Sequence, residues 1–175
     1  MLEATRALLT DEGLPALTVD KIARHAGVSK NTIYRWWPNK AAVLMDAFTA
    51  ATRTKLEAPD TGTAIQRFRT QVQRVAALMS EPDARRPFVA LVAASQHDQE
   101  LAAALRERFI ADRRDAATLL LEEIIDQHRA ANFEPEIVID LIYGALYYRL
   151  LITGARLDPP YVDRLLDFAL GRLNS

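Results

Sequence analysis

The sequence predicts an all-α protein of nine helices in two domains, and three observations carry that expectation. Apolar residues recur at helical spacing almost throughout, and no segment of the 175 residues sustains the two-residue alternation of a strand. Gly and Pro fall as punctuation at Gly13–Pro15, Gly27, Pro38, Pro59–Gly62, Pro82, Pro135 and Pro159–Pro160, cutting the chain into stretches of helical length. The composition is globular: 50% of the residues are hydrophobic and 26% charged, enough to fill one core, with no repeat or low-complexity tract.

Between these breaks the helices are expected at roughly 2–12, 18–26, 29–36, 39–57, 63–80, 83–96, 98–130, 135–153 and 160–173. Three short helices make a first domain, 1–45. A connector helix, 39–57, leads out of it and ends at the turn "EAPDTG" (57–62), and 46–175 forms a helical second domain. The second helix starts at Thr18, whose hydroxyl can accept a first-turn N–H, and Asp20 suits the positive end of its dipole. Leu17 and Ile22 stand at the staple positions around that cap. Ala26–Gly27 ends this helix, glycine being the residue that accepts positive φ without steric cost. Ser29 caps the third helix, with Val28 and Ile33 as its staple. Two short helices joined by a glycine turn make a helix-turn-helix.

With Ile33 facing inward at 100° per residue, Asn31 and Arg35 point away from the core, flanked by Thr32 and Tyr34. Lys30 stands at the first turn with a stem long enough to swing outward. Arg and Asn can bond bidentately to guanine and adenine edges, while hydroxyls, ammonium groups and helix N-termini suit phosphate oxygens. Trp37 projects inward. Trp36 lies at the edge, open either to core packing or to contact with a duplex. Asn39 caps the next helix and sets Lys40 at its start.

Charge supports the same face. The net charge is -1, yet no acidic residue falls between Asp20 and Asp46, where Lys21, Arg24, Lys30, Arg35 and Lys40 all lie. Residues 51–175 hold 16 basic against 18 acidic side chains, so the positive field is local. Such a patch is either a phosphate-contacting surface or a solvated basic face without a partner.

The stretch "LTVDKIARHAGVSKNTIYRWWPNKAAVL" resembles the DNA-binding signature of TetR/AcrR-type transcriptional regulators. The resemblance covers about residues 1–50 and rests on Gly13, Thr18, Ile22–Ala23, Ala26–Gly27–Val28–Ser29, Thr32, Tyr34, Pro38 and Lys40. It implies a repressor that binds a palindromic double-stranded DNA operator as a homodimer and is released by a small-molecule effector. By position it implies that Lys30, Asn31 and Arg35 face bases, and that Thr18, Ser29, Thr32, Tyr34, Trp36 and Lys40 face the backbone. It implies no cofactor. Members usually carry a basic lead-in before the first helix, whereas Met1 here lies within it; a truncated start and a missing anchoring element are the two expectations.

The remaining helices are richer in apolar surface than a DNA-binding appendage needs. "IVIDLIYGALYYRLLI" is apolar nearly all round and must be covered on every side. "YVDRLLDFALGRL" spreads apolar residues over more than half its circumference. The two read as a dimer interface through Tyr143, Gly144, Ala145, Tyr148, Leu166 and Leu170, Gly144 permitting a close helix crossing; a fully buried central helix in a monomer is the other reading. The family's effector pocket would draw on Phe68, Met79, Phe88, Gln96, Phe109, Arg113 and Tyr147, although each taken singly reads first as a core or surface residue.

A helical enzyme meets few of its sequence requirements. His25, His97 and His128 are scattered, with neither an H-E-x-x-H zinc motif nor the spacing of a di-iron bundle. Zero cysteines exclude disulfides and thiolate metal sites. "GVSKN" lacks the last glycine of a nucleophile elbow, and no phosphate-binding glycine loop occurs. No secretory signal core is seen, and the longest apolar run, Leu141 to Tyr148, is far short of the roughly 18 residues of a membrane span, so a cytoplasmic protein is expected. An architectural DNA-binding dimer without an effector stays open as an alternative.

Overall fold

The computed structural model describes residues 1–56, 59–128 and 133–171. It is all-α: α1 (Leu2–Asp11), a 3-10 turn (Leu14–Ala16), α2 (Val19–Ala26), α3 (Lys30–Trp36), α4 (Lys40–Leu56), α5 (Ala64–Ser80) and α6 (Pro82–Ser95). Then come α7 (Gln99–Leu105), a π turn (Arg106–Ile110), α8 (Ala111–His128), α9 (Pro135–Tyr148), a second π turn (Arg149–Thr153) and α10 (Pro159–Leu170). Counting α7 with α8 as one helical run, these are the nine predicted helices among the described residues. The predicted ends at 57, 130 and 173 lie outside the described residues.

Local chemistry sets the boundaries. Pro135 and Pro159 open α9 and α10 at positions whose N–H would be unbonded in any case. Thr63 and Gln66 form a reciprocal capping box at the start of α5. Asp98 and Asp158 accept first-turn N–H groups at 3.0 and 2.9 Å. No helix among the described residues is long and apolar enough to cross a membrane, and no three His, Cys, Asp or Glu among them gather as a metal site.

The helices cluster into two compact units, which are not consecutive stretches of chain. The first comprises Met1–Thr54 and Pro82–Asp112; the second comprises Lys55–Glu81 and Arg113–Ser175. In the first unit α6, α7 and the first π turn pack with the N-terminal helices. In the first unit α4 is central, with the run from Ala41 to Met45 wholly buried. Beside it Phe48, Phe88 and Phe109 form a closed cluster with ring centroids 5.0–6.1 Å apart. In the second unit α5, α8, α9 and α10 bury Phe68, Leu121, Ile142 and Leu166. Ion pairs Arg67–Glu123 and Arg69–Asp167 and a 2.7 Å bond from Gln73 to Asp163 edge that core.

Candidate nucleic-acid interface

The helix-turn-helix is assembled by bonds that the sequence encodes locally. Thr18 Oγ1 accepts the Lys21 N–H at 3.2 Å and starts α2. Gly27 ends it at φ 66°, its N–H donating to Arg24, and the Val28 N–H reaches the Ala23 carbonyl at 3.0 Å. A side chain at Gly27 would have to adopt the left-handed conformation that makes this turn. Ser29 Oγ then accepts the Thr32 N–H at 3.1 Å and lies 2.9 Å from the Thr32 hydroxyl. Asn39 Oδ1 accepts the Ala42 N–H at 2.9 Å, which fixes Lys40 at the first turn of α4.

The packing of α3 decides what it presents. Ile33, 1% exposed, is its one buried side chain among seven residues. Asn31, Tyr34 and Arg35 are exposed and Thr32 is half-buried. Trp36 is 70% exposed, which settles its edge position in favour of the surface. Trp37 is half-buried, and its indole donates to Asp46 Oδ2 at 2.7 Å. Lys40 Nζ lies 3.4 Å from the Leu17 carbonyl, close to the Thr18 cap.

The patch is less uniformly cationic than its composition implies. Lys30 pairs with Asp20 at 2.5 Å, and Lys21 with Glu12. Asp20 sits just before the acid-free stretch, a neighbour that the linear charge count passes over. Among the described residues neither Arg24 nor Arg35 has an acidic partner, so both guanidinium groups are available. The surface can thus offer a bidentate Arg35, an amide at Asn31, hydroxyls at Ser29, Thr32 and Tyr34, and the exposed indole of Trp36.

The residues expected at an effector pocket are dispersed. Phe88 and Phe109 belong to the aromatic cluster of the first unit. Gln96 is exposed at the end of α6 and bonds back to its own helix at Val92. Phe68 and Met79 are buried on α5 in the second unit. Tyr147 is there too, its phenol pushed up to about 12 by burial and lowered in part by the Arg113 guanidinium. The neighbouring Tyr143 phenol is likewise pushed up by burial. Gln71, 4% exposed, was missed by sequence reasoning; it donates to the Arg113 carbonyl at 3.2 Å and to Tyr143 at 3.5 Å. Its Oε1 is buried with no hydrogen-bond partner. A glutamine on the otherwise apolar stripe of Phe68, Val72 and Val75 is the signal that could have found it.

The expected dimer-interface residues need correction. Leu166 and Leu170 point into their own unit, at 0% and 3% exposure, and offer a partner nothing. Their neighbour Phe168 is the outward apolar side chain of α10. On α9 Tyr143 and Ala145 are half-buried, while Gly144 and Tyr148 are exposed along with Ile137 and Leu141. No atom outside the helix backbone lies within 4 Å of a Cβ added at Gly144.

Known proteins agree with this arrangement over nearly the whole chain. Residues 1–47 match the description "Bacterial regulatory proteins, tetR family", and residues 58–169 match "Tetracyclin repressor-like, C-terminal domain". YdeS of Bacillus subtilis, an uncharacterized HTH-type transcriptional regulator, is 42% identical over 95% of this chain and 84% of its own. A DNA-binding transcriptional repressor TetR from Mycobacteroides abscessus is 27% identical, over 97% of this chain and 90% of its own. The crystal structure of a TetR family transcription regulator superposes with a TM-score of 0.83 at 33% identity, covering 97% of this chain and 94% of the other.

Proposed function

The chain belongs to the TetR family of DNA-binding transcriptional regulators, and from that premise we propose that it is a repressor that binds a palindromic operator as a homodimer and leaves it when a small molecule binds. The family is one of regulators and not of enzymes, which sets the helical-enzyme alternative aside. The observation that carries the DNA-binding half is the packing of α3: one side chain is buried, and the polar, cationic remainder faces outward between two capped turns.

Roles divide by reach. Arg35 and Asn31 read base edges, and Lys30 joins them once the duplex competes with Asp20 for its ammonium group. Thr18, Ser29, Thr32, Tyr34, Trp36 and Lys40 hold the backbone, Lys40 with the N-terminus of α4 behind it. The apolar surface of α9, with Ile137, Leu141 and Tyr148 at helical spacing, supports pairing with a second copy. Phe168 of α10 adds to it. For the effector, the buried Gln71 and the half-buried Tyr143 and Tyr147 of the second unit support a site that takes a partly polar organic molecule.

Selection of duplexes from a random-sequence library tests this reading. The expected product is an inverted repeat with half-site centres about 34–36 Å apart, one turn of the duplex. Enrichment of a single asymmetric site would contradict the dimeric reading. A ligand found by thermal shift should bind less tightly in the presence of that duplex, because coupling between two binding sites is reciprocal.

A further inference from the structure

We propose that Asp46 is a positioning residue for DNA reading, its carboxylate fixing the attitude of the recognition helix by holding Trp37 on one oxygen and Arg108 on the other. The inference rests on the reading of α3 as the recognition helix and adds to it the group that aims that helix.

A seven-residue helix with one buried side chain has one main anchor in the core of its unit. Ile33 is that anchor. Trp37, the residue that ends α3, supplies a second: its N–H donates to the Ile33 carbonyl at 2.9 Å, and its indole donates to Asp46 Oδ2 at 2.7 Å. The other oxygen, Oδ1, takes Arg108 Nη1 at 2.8 Å, so both oxygens of the carboxylate are committed. Bonds to an ionised acceptor are stronger than neutral ones, and all three side chains are half-buried rather than fully solvated.

Arg108 is itself held. It lies in the first π turn, and its carbonyl accepts the Thr49 hydroxyl at 3.1 Å, one turn along α4 from Asp46. The next residue, Phe109, packs on Phe48 at 5.0 Å. Side chain, carbonyl and neighbouring ring thus bind this π turn to α4, and π turns inside helices are frequent at functional positions. The carboxylate therefore does not swing freely: the guanidinium orients it, and it orients the indole. Arg108 acts on the duplex only through Asp46.

Bidentate base contacts depend on helix attitude more steeply than contacts to a flexible phosphate backbone. Loosening α3 should therefore cost sequence preference before it costs general affinity. The probes are the duplex that the wild-type protein enriches from a random library and a scrambled duplex of equal length. Asp46→Ala and Arg108→Met should each weaken the enriched duplex by about 3- to 30-fold and the scrambled one by less than about 3-fold. The double variant should be no weaker than Asp46→Ala alone. Asp46→Asn, which keeps one acceptor oxygen and loses the ion pair, should fall between. In an amide and indole NMR spectrum, Arg108→Met should move the Trp37 Nε1–H resonance and leave that of Trp36 in place. Folded Asp46 variants that keep wild-type preference, or that lose both duplexes equally, would overturn the proposal. If the wild type enriches no duplex at all, the recognition-helix reading itself fails, and this one with it.

Discussion

Helices α3 and α9 both leave much of their surface uncovered, and the chemistry of what they leave bare differs. On α3 the exposed groups are Lys30, Asn31, Tyr34, Arg35 and Trp36, with hydrogen-bonding atoms or a π face on each. On α9 the apolar Ile137, Leu141 and Tyr148 are exposed with Gly144, beside Glu136 and Asp140, which pair with Arg114, and the π turn that follows adds Ile152, 71% exposed. A polar, cationic face is stable in water and waits for an anionic ligand, whereas an apolar stripe of this size costs free energy until another protein surface covers it. The same chain thus carries two kinds of incompleteness, one polar and cationic and one apolar.

That contrast can be broken most severely where sequence patterning and structure disagree. Leu166→Arg places a charge in the closed core of the second unit and should cost about 4 kcal/mol or more of folding stability, seen as an early midpoint in chemical denaturation. Phe168→Arg, two residues on and 73% exposed, should change that midpoint by less than about 0.5 kcal/mol. Equal losses would show that α10 does not pack as described.

A smaller effect sharpens the α9 side. Ile152→Asp should leave the folding of each subunit nearly unchanged and weaken association by about 100-fold, because a two-fold interface carries the substitution twice. Sedimentation over a concentration series measures it. An unaltered dimer would remove this stripe from the interface, and a wild-type protein that stays monomeric at micromolar concentration would remove the dimer.

Legibility followed the range of the interactions. Thr18, Ser29 and Asn39 were readable as caps and Gly27 as a turn because each acts within three or four residues of itself. The outward set on α3 followed from one buried residue, Ile33. On α10 apolar residues cover more than half the circumference, so periodicity left the phase undecided, and Leu166 and Leu170 were placed on the wrong side. The π turns at Arg106–Ile110 and Arg149–Thr153 each insert an extra residue into the helical count, which defeats extrapolation along a run. The Trp37–Asp46–Arg108 link joins residues up to 71 positions apart, beyond any local pattern. The packing of Phe88 and Phe109 on Phe48 is likewise long-range and leaves no local pattern.

The central claim, that the exposed face of α3 reads sequence while the start of α4 holds the backbone, is tested most directly by a salt titration of two variants. Each is measured on the enriched duplex and on a scrambled one. Arg35→Ala should cost about 1–3 kcal/mol on the enriched duplex and relax preference at one base position, with little change on the scrambled duplex. Lys40→Ala should weaken both by similar factors and reduce the salt slope by about one counterion. The account is contradicted if Arg35→Ala weakens both duplexes alike while Lys40→Ala alters base preference.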